Sequence, residues 1–189
     1  MADELSRFLA FEGKPVQLVE RSPEPSALIT RMVGAAPWLS RVHVPSPDRH
    51  RLTVSGSRAH GEILFMGPVQ GRVAEALVIL VRSLATFDAD YDTPASPQLL
   101  QELEVKVGLG VYVSHTCAFC PAVMAAALRF AQATPWIDVA VIRADLEPLP
   151  GQRSVPTVIA NGEVVSEGSI GEYELAERVH ARFIDGGAS

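Results

Sequence analysis

The chain has 189 residues, 48% of them hydrophobic, with 16 basic and 22 acidic side chains and a formal net charge of -6. That apolar content can bury a core as one domain or two small ones. The charges are mixed without a lysine/arginine cluster, which argues against a nucleic-acid track, and no apolar run approaches the ~20 residues of a membrane helix.

The start, Met1-Ala-Asp-Glu-Leu-Ser-Arg, is acidic and polar where a secretory signal is basic and then apolar. Two cysteines without an export signal fit a reducing compartment, so the expectation is a soluble, cytoplasmic protein. Asp3 to Phe11 carries apolar residues at the spacing of a short amphipathic helix, and Pro15 to Val19 alternates like a strand. Ser22 is an N-cap candidate, with Pro23 and Glu24 in the first turn of a helix running to about Ala35. Trp38 to Val44 reads as a strand, Arg51 to Val54 and Glu62 to Met66 as paired strands, and Gly71 to Leu84 as a long apolar helix. Asp88 to Pro97 is acidic and proline-bearing, the composition of a linker. Leu99 to Leu103 starts the next helix. A strand at Val111 to Val113, an alanine-rich helix from Ala122 to Ala133, a hairpin from Val158 to Val165 and a helix near Glu172 to Phe183 follow, before a frayed Gly186-Gly187-Ala188-Ser189 tail.

The halves repeat. Leu18 to Trp38 lies against Thr116 to Trp136 without a gap, with six identities, among them Ala27/Ala125, Arg31/Arg129 and Pro37-Trp38/Pro135-Trp136. Gly61 to Gly67 then mirrors Gly162 to Gly168, in the same order. Each half reads β-α-β, hairpin, helix. Under this alignment Val19 and Ser22 stand where Cys117 and Cys120 stand, and Leu52 takes the place of Pro156. The expected division is a unit over 1–87 without thiols, a linker over 88–98 and a unit over 99–189 with them.

The chemistry concentrates at Thr116-Cys117-Ala118-Phe119-Cys120-Pro121. A Cys-x-x-Cys between a strand and a helix sets the first sulfur at the helix N-terminus, where unpaired N–H groups and the dipole favour a thiolate. The thiolate is the form that attacks a disulfide, and Cys120, one turn on, can resolve the mixed disulfide. The alternatives are half a zinc site, though there is no second cysteine pair and the five histidines are scattered, or two inert thiols. Thr116 and Phe119 are candidate partner contacts on the exposed loop. His115 could tune the thiolate as a cation or simply be a solvated loop residue. Trp38 and Trp136 read as equivalent packing residues. Ser154-Val155-Pro156-Thr157 is the second element. A cis peptide is cheap only before proline. Beside a dithiol, a cis Val155–Pro156 step exposes backbone groups that can pair with an extended substrate; otherwise Pro156 is an ordinary edge-strand proline.

On the motifs Tyr112 to Pro121 and Val155 to Glu163, with Phe65-Met66-Gly67 in the first half, the chain resembles the N-terminal domain of the alkyl hydroperoxide reductase flavoprotein subunit. The resemblance implies an α/β fold of two fused thioredoxin-like units, each a central sheet flanked by helices, with thiols only in the second. It implies a thiol-disulfide oxidoreductase in which Cys117 attacks a partner's disulfide, Cys120 resolves it, and Val155 and Pro156 form the docking edge. A separate NAD(P)H-flavin disulfide reductase would be the donor and a peroxiredoxin or other protein disulfide the acceptor. No bound cofactor is expected; Gly108-Leu109-Gly110 lacks the remainder of a dinucleotide fingerprint. A non-enzymatic redox-sensing or zinc-holding module is the alternative. The chain departs from the family in two further ways. The segment between Asp145 and Val155 is short and proline-bearing where the family has a helix. Gly71 is followed by Arg72 and Val73 where the family has a carboxylate, leaving Glu75 or Glu147 as candidates to handle the Cys120 proton.

Overall fold

The computed structural model describes residues 4–184; the Gly186 to Ser189 tail lies outside them. The elements run α1 (Glu4–Leu9), β1 (Val16–Ser22), α2 (Ala27–Ala35), β2 (Leu39–Pro45), β3 (Arg51–Gly56), β4 (Ile63–Met66) and α3 (Arg72–Thr86). They continue with α4 (Ala95–Gln101), β5 (Val107–Val113), α5 (Cys120–Ala133), β6 (Ile137–Arg143), β7 (Thr157–Ala160), β8 (Glu163–Glu167) and α6 (Glu172–Ile184). The strands alternate buried and less buried residues, the period-2 signature of a sheet with one covered face. The covered face carries Leu18, Leu52, Val54, Phe65, Val111, Val139 and Val141. On it the helices pack against one another: α1 on α2, α3 on α5, and α4 and α6 on α5.

All eight strands form one sheet, ordered β2-β1-β3-β4-β6-β5-β7-β8. The order β-α-β, hairpin, helix occurs twice, as two thioredoxin-like units. Their seam is the parallel pair β4–β6, Ile63 opposite Val139 through Met66 opposite Ile142. The stretch read as a linker is docked and partly helical, since α4 begins at Ala95. Pro97 falls in the first turn of that helix, where its missing N–H costs nothing. The Tyr91 hydroxyl donates to the Arg129 carbonyl at 2.9 Å, and the Asp92 N–H to Glu172 at 3.1 Å. Arg129 bonds both Glu172, at 2.6 Å, and Asp92. Burial, with the Glu172 charge adding, pushes the Tyr91 hydroxyl up to about 12.

The repeat corrects the gapless alignment. Offset by the spacing of Trp38 and Trp136, α2 and β2 do match α5 and β6. The preceding strands do not: residues 23–38 join β1 to β2 but residues 114–136 join β5 to β6, a difference of seven. Val19 and Ser22 lie inside β1, whereas Cys117 sits beyond its strand and Cys120 opens its helix. Ser22 is no N-cap; Ser26 fills that position, accepting from the Ile29 N–H at 3.4 Å. The hairpins match as read, and they replace Leu52 with His50 as the counterpart of Pro156. Gly67 N–H donates to His50 O at 2.8 Å just as Gly168 N–H donates to Pro156 O at 2.8 Å.

Candidate redox site

Cys117 and Cys120 are joined as a disulfide, with Cα atoms 5.5 Å apart. Cys120 is the first residue of α5 and fully buried, while Cys117, in the loop before it, is half-buried. This asymmetry follows from local structure. Cys120 begins the helical face that continues through Val123, Met124 and Ala127 into the core. Cys117 precedes the helix and receives the Cys120 N–H on its sulfur at 3.1 Å, one of the unpaired donors of a helix start. Charge arriving on Cys117 when the disulfide opens meets that donor first.

Opposite Cys117, the Val155–Pro156 peptide is cis, as expected, and the Val155 carbonyl oxygen lies 3.8 Å from Cys117 Sγ. Phe119 is 67% exposed, and the Thr116 side chain is also exposed, its Oγ1 3.1 Å from Ser114 Oγ. The structure therefore brings Cys117, Cys120, Val155 and Pro156 together, with Thr116 and Phe119 on the loop's open side.

The other sequence candidates fare differently. Glu75 is exposed and engaged with Arg72 at 2.9 Å. Glu147 is exposed and adds to the burial that pushes the Tyr112 hydroxyl upward. Trp38 is buried and stacks on Phe11 at 4.9 Å, but Trp136 is 38% exposed, so only one of the pair is a packing residue. No helix lies between β6 and β7, in keeping with the shortened segment read there.

Arg143, which sequence reasoning passed over, organises the loop ahead of the dithiol. It ends β6, is 3% exposed, and holds Asp145 in a fork at 2.8 and 2.6 Å. It also donates to Pro68 O at 3.1 Å and to His115 Nδ1 at 3.0 Å. The fork holds the Asp145 carboxyl below its usual range. A guanidinium only donates, so in this contact His115 Nδ1 is the acceptor, and the ring is held by Arg143 rather than loose in solvent. The His115 backbone is gripped from the first unit: the Arg72 N–H donates to His115 O at 3.1 Å, and Gly71, at φ +56, leaves no room for a Cβ, which would lie 2.5 Å from that oxygen. Gly71 was read as a helix opener; its second task is this close approach. The only sequence signal for Arg143 is one charge closing an apolar strand.

Comparisons with protein-family models and with curated proteins return no match. Among solved structures, the fold matches a protein disulfide oxidoreductase from Aeropyrum pernix K1 at TM-score 0.80 and 19% identity, over 96% of this chain and 91% of that one. It matches the alkylhydroperoxide reductase AhpF from Enterococcus faecalis at TM-score 0.78 and 21% identity, over 92% and 94%. The separately solved N-terminal domain of that reductase matches at TM-score 0.76 and 20% identity, over 92% and 95%. The fold is thus the tandem thioredoxin-like one that the sequence resemblance implied. No helix among the described residues is long and apolar enough to cross a membrane.

Proposed function

We propose that this protein is a thiol-disulfide oxidoreductase, acting through Cys117 and Cys120 on disulfides of other proteins. The observation that carries the reading is the unequal pair: an accessible sulfur at a helix start, facing the open Val155 carbonyl, bonded to a fully buried one. In the reduced protein the Cys117 thiolate attacks one sulfur of a substrate disulfide. A mixed disulfide forms and the other substrate sulfur leaves as a thiolate. Cys120 then gives up its proton and attacks Cys117 Sγ, closing the Cys117–Cys120 bond and releasing the second substrate thiol. Two electrons pass to the substrate. Val155 and Pro156 offer the backbone edge for an extended substrate, with Thr116 and Phe119 as flanking contacts.

The same reading holds the unit over 1–87 as a thiol-free partner, joined through 88–98 to the catalytic unit over 99–189. It needs no bound cofactor in this chain. An NAD(P)H-flavin disulfide reductase is the donor class and a peroxiredoxin disulfide the acceptor that the fold resemblance favours; the setting is cytoplasmic.

Insulin-disulfide reduction with dithiothreitol as the electron source, with zinc content measured on the same samples, tests the reading. Turnover should fall to background in both Cys117→Ser and Cys120→Ser, and only Cys120→Ser should trap a mixed disulfide. Turnover unchanged in both variants, or absent from a zinc-loaded wild type, would replace the enzyme with a redox-sensing or zinc-holding module.

A further inference from the structure

The turn that delivers Cys117 is short. Ser114 to Cys117 form a single β-turn, closed by the Cys117 N–H on Ser114 O at 3.2 Å, with His115 and Thr116 at its centre. The central peptide of a β-turn is the one that inverts between the common turn types, and its carbonyl swings from one side of the turn to the other. Here that carbonyl is His115 O. The turn's closing bond does not use it, so the turn alone leaves it free to invert.

The restraint comes from the thiol-free unit. The loop 67–72 leaves the end of β4 and reaches the turn, where the Arg72 N–H donates to His115 O at 3.1 Å. That loop is itself held at both ends. Gly67, at φ +106, lies so close to Arg143 that a Cβ there would come 2.6 Å from the arginine's Cγ, and Arg143 donates to Pro68 O at 3.1 Å. At the other end the first turn of α3 closes, with the Val73 N–H on Gln70 O and the Ala74 N–H on Gly71 O. Gly71 stands at φ +56 and ψ -132, the mirror image of extended backbone and a conformation suited to glycine. A Cβ on it would meet His115 O at 2.5 Å and the His115 carbonyl carbon at 3.3 Å. Both are main-chain atoms, so no side chain can swing aside to make room. Arg143 adds the last hold, donating to His115 Nδ1 at 3.0 Å from the same guanidinium that binds Pro68 O.

We propose that Gly71 and Arg72 of the thiol-free unit are positioning residues for the dithiol: through His115 O they hold the turn that keeps Cys117 Sγ beside the Cys120 N–H. That N–H, 3.1 Å from the sulfur, is the helix-start donor that favours the thiolate once the disulfide opens. A turn free to invert its central peptide carries the sulfur off this donor, and the reduced thiol then ionises like an ordinary one. The inference rests on the proposed activity only in taking Cys117 as the reacting sulfur. Alkylation needs no protein substrate, so the two readings fail separately.

Iodoacetamide alkylation of Cys117 in the reduced full chain, followed by mass from about pH 5 to 10, tests it. Gly71→Ala should move the midpoint of the rate profile up by about one pH unit, toward the range of an unperturbed thiol. The substitution leaves every charge in place, including His115 in the turn, Arg143 and Asp145 at the end of β6, and Arg72 and Glu75 on α3. A shift therefore reports position. Gly162→Ala is the control for backbone strain, since Gly162 stands at φ +90 with open space where a Cβ would be. Its profile should match wild type. An equal shift in Gly162→Ala, or a folded Gly71→Ala with the wild-type profile, overturns the inference. If Gly71→Ala does not fold, a second pair decides. Arg72 is the first residue of α3, where proline is tolerated, so Arg72→Pro deletes the N–H that Arg72→Ala keeps. The proline variant should lie about one pH unit above the alanine variant; equal midpoints would overturn the inference.

Discussion

The two units set the same corner of the same fold to different tasks. In the second, the N-terminus of α5 holds Cys117, whose sulfur takes the Cys120 N–H at 3.1 Å. In the first, the N-terminus of α2 holds a buried carboxylate: Glu20 Oε1 takes the Ser26 N–H at 2.8 Å, with Ser22 Oγ at 3.3 Å. Both helix starts are completed by an electron-rich side-chain acceptor, as their unpaired donors and dipoles favour. The acceptor is reactive and reachable in one unit, inert and 5% exposed in the other. The first unit's connection is seven residues shorter and has no thiol loop, and Glu20 reaches up from the strand to that helix start. A redox centre is therefore not a property of the corner. It depends on a loop long enough to lift a thiol to the surface, with a buried partner behind it.

Three substitutions probe that contrast, the largest effect first. Arg143→Leu removes the guanidinium that orders the live corner, leaving His115 and the Pro68 carbonyl without their donor. Stability should drop by about 2–3 kcal/mol, below the range for a wholly buried ion pair because Asp145 is 41% exposed. Insulin reduction should fall roughly tenfold as the loop loses its register. An unfolding curve and an activity assay on the same preparation would show whether both move.

Glu20→Ala strikes the silent corner and should cost about 1–3 kcal/mol, the value of a charged acceptor at a helix start. Turnover should stay at the wild-type level. A parallel fall in activity would mean that the corners are coupled and that the first unit is more than a scaffold.

Tyr91→Phe addresses the joint between the units and should lower stability by about 1 kcal/mol or less at neutral pH. The sign of its pH dependence follows from the raised hydroxyl. The unfolded chain ionises near pH 10, whereas the folded one holds its proton to about 12. The tyrosine's contribution is thus whole below pH 10 and fades between pH 10 and 12. Urea midpoints measured across that window should decline less steeply in the variant.

Much of this was legible in the residues. The dithiol at a strand-to-helix step, the Val155-Pro156 step and the glycine-bounded hairpins were all readable, because each is spelled by residue types with narrow geometric uses. The gapless repeat misled at one end because its identities cluster in α2 and the turn into β2. Pro23 and Pro121 agree by chance, one in a loop and one in the first turn of a helix. Gly108 and Gly110 hid the first half of β5. Strand propensity counts glycine against a strand, yet a Cβ at Gly110 would come 2.8 Å from Ile159, so packing requires it. Arg143 left almost no trace, since its partners come from three separate stretches of chain and only the fold assembles them.

The seam at β4–β6 bears on any attempt to trim the chain. Cut at the joining stretch, the thiol-bearing half would begin life with β6 as a naked border, Ile137 to Arg143, rich in valine and isoleucine and without proline. Such a border recruits any strand that drifts past, including its own copy in a neighbouring molecule. The half without thiols therefore has a standing occupation as a hem. Removing that half would leave the thiol-bearing half with this border open to edge-to-edge pairing, which gives the module without thiols a structural role of its own.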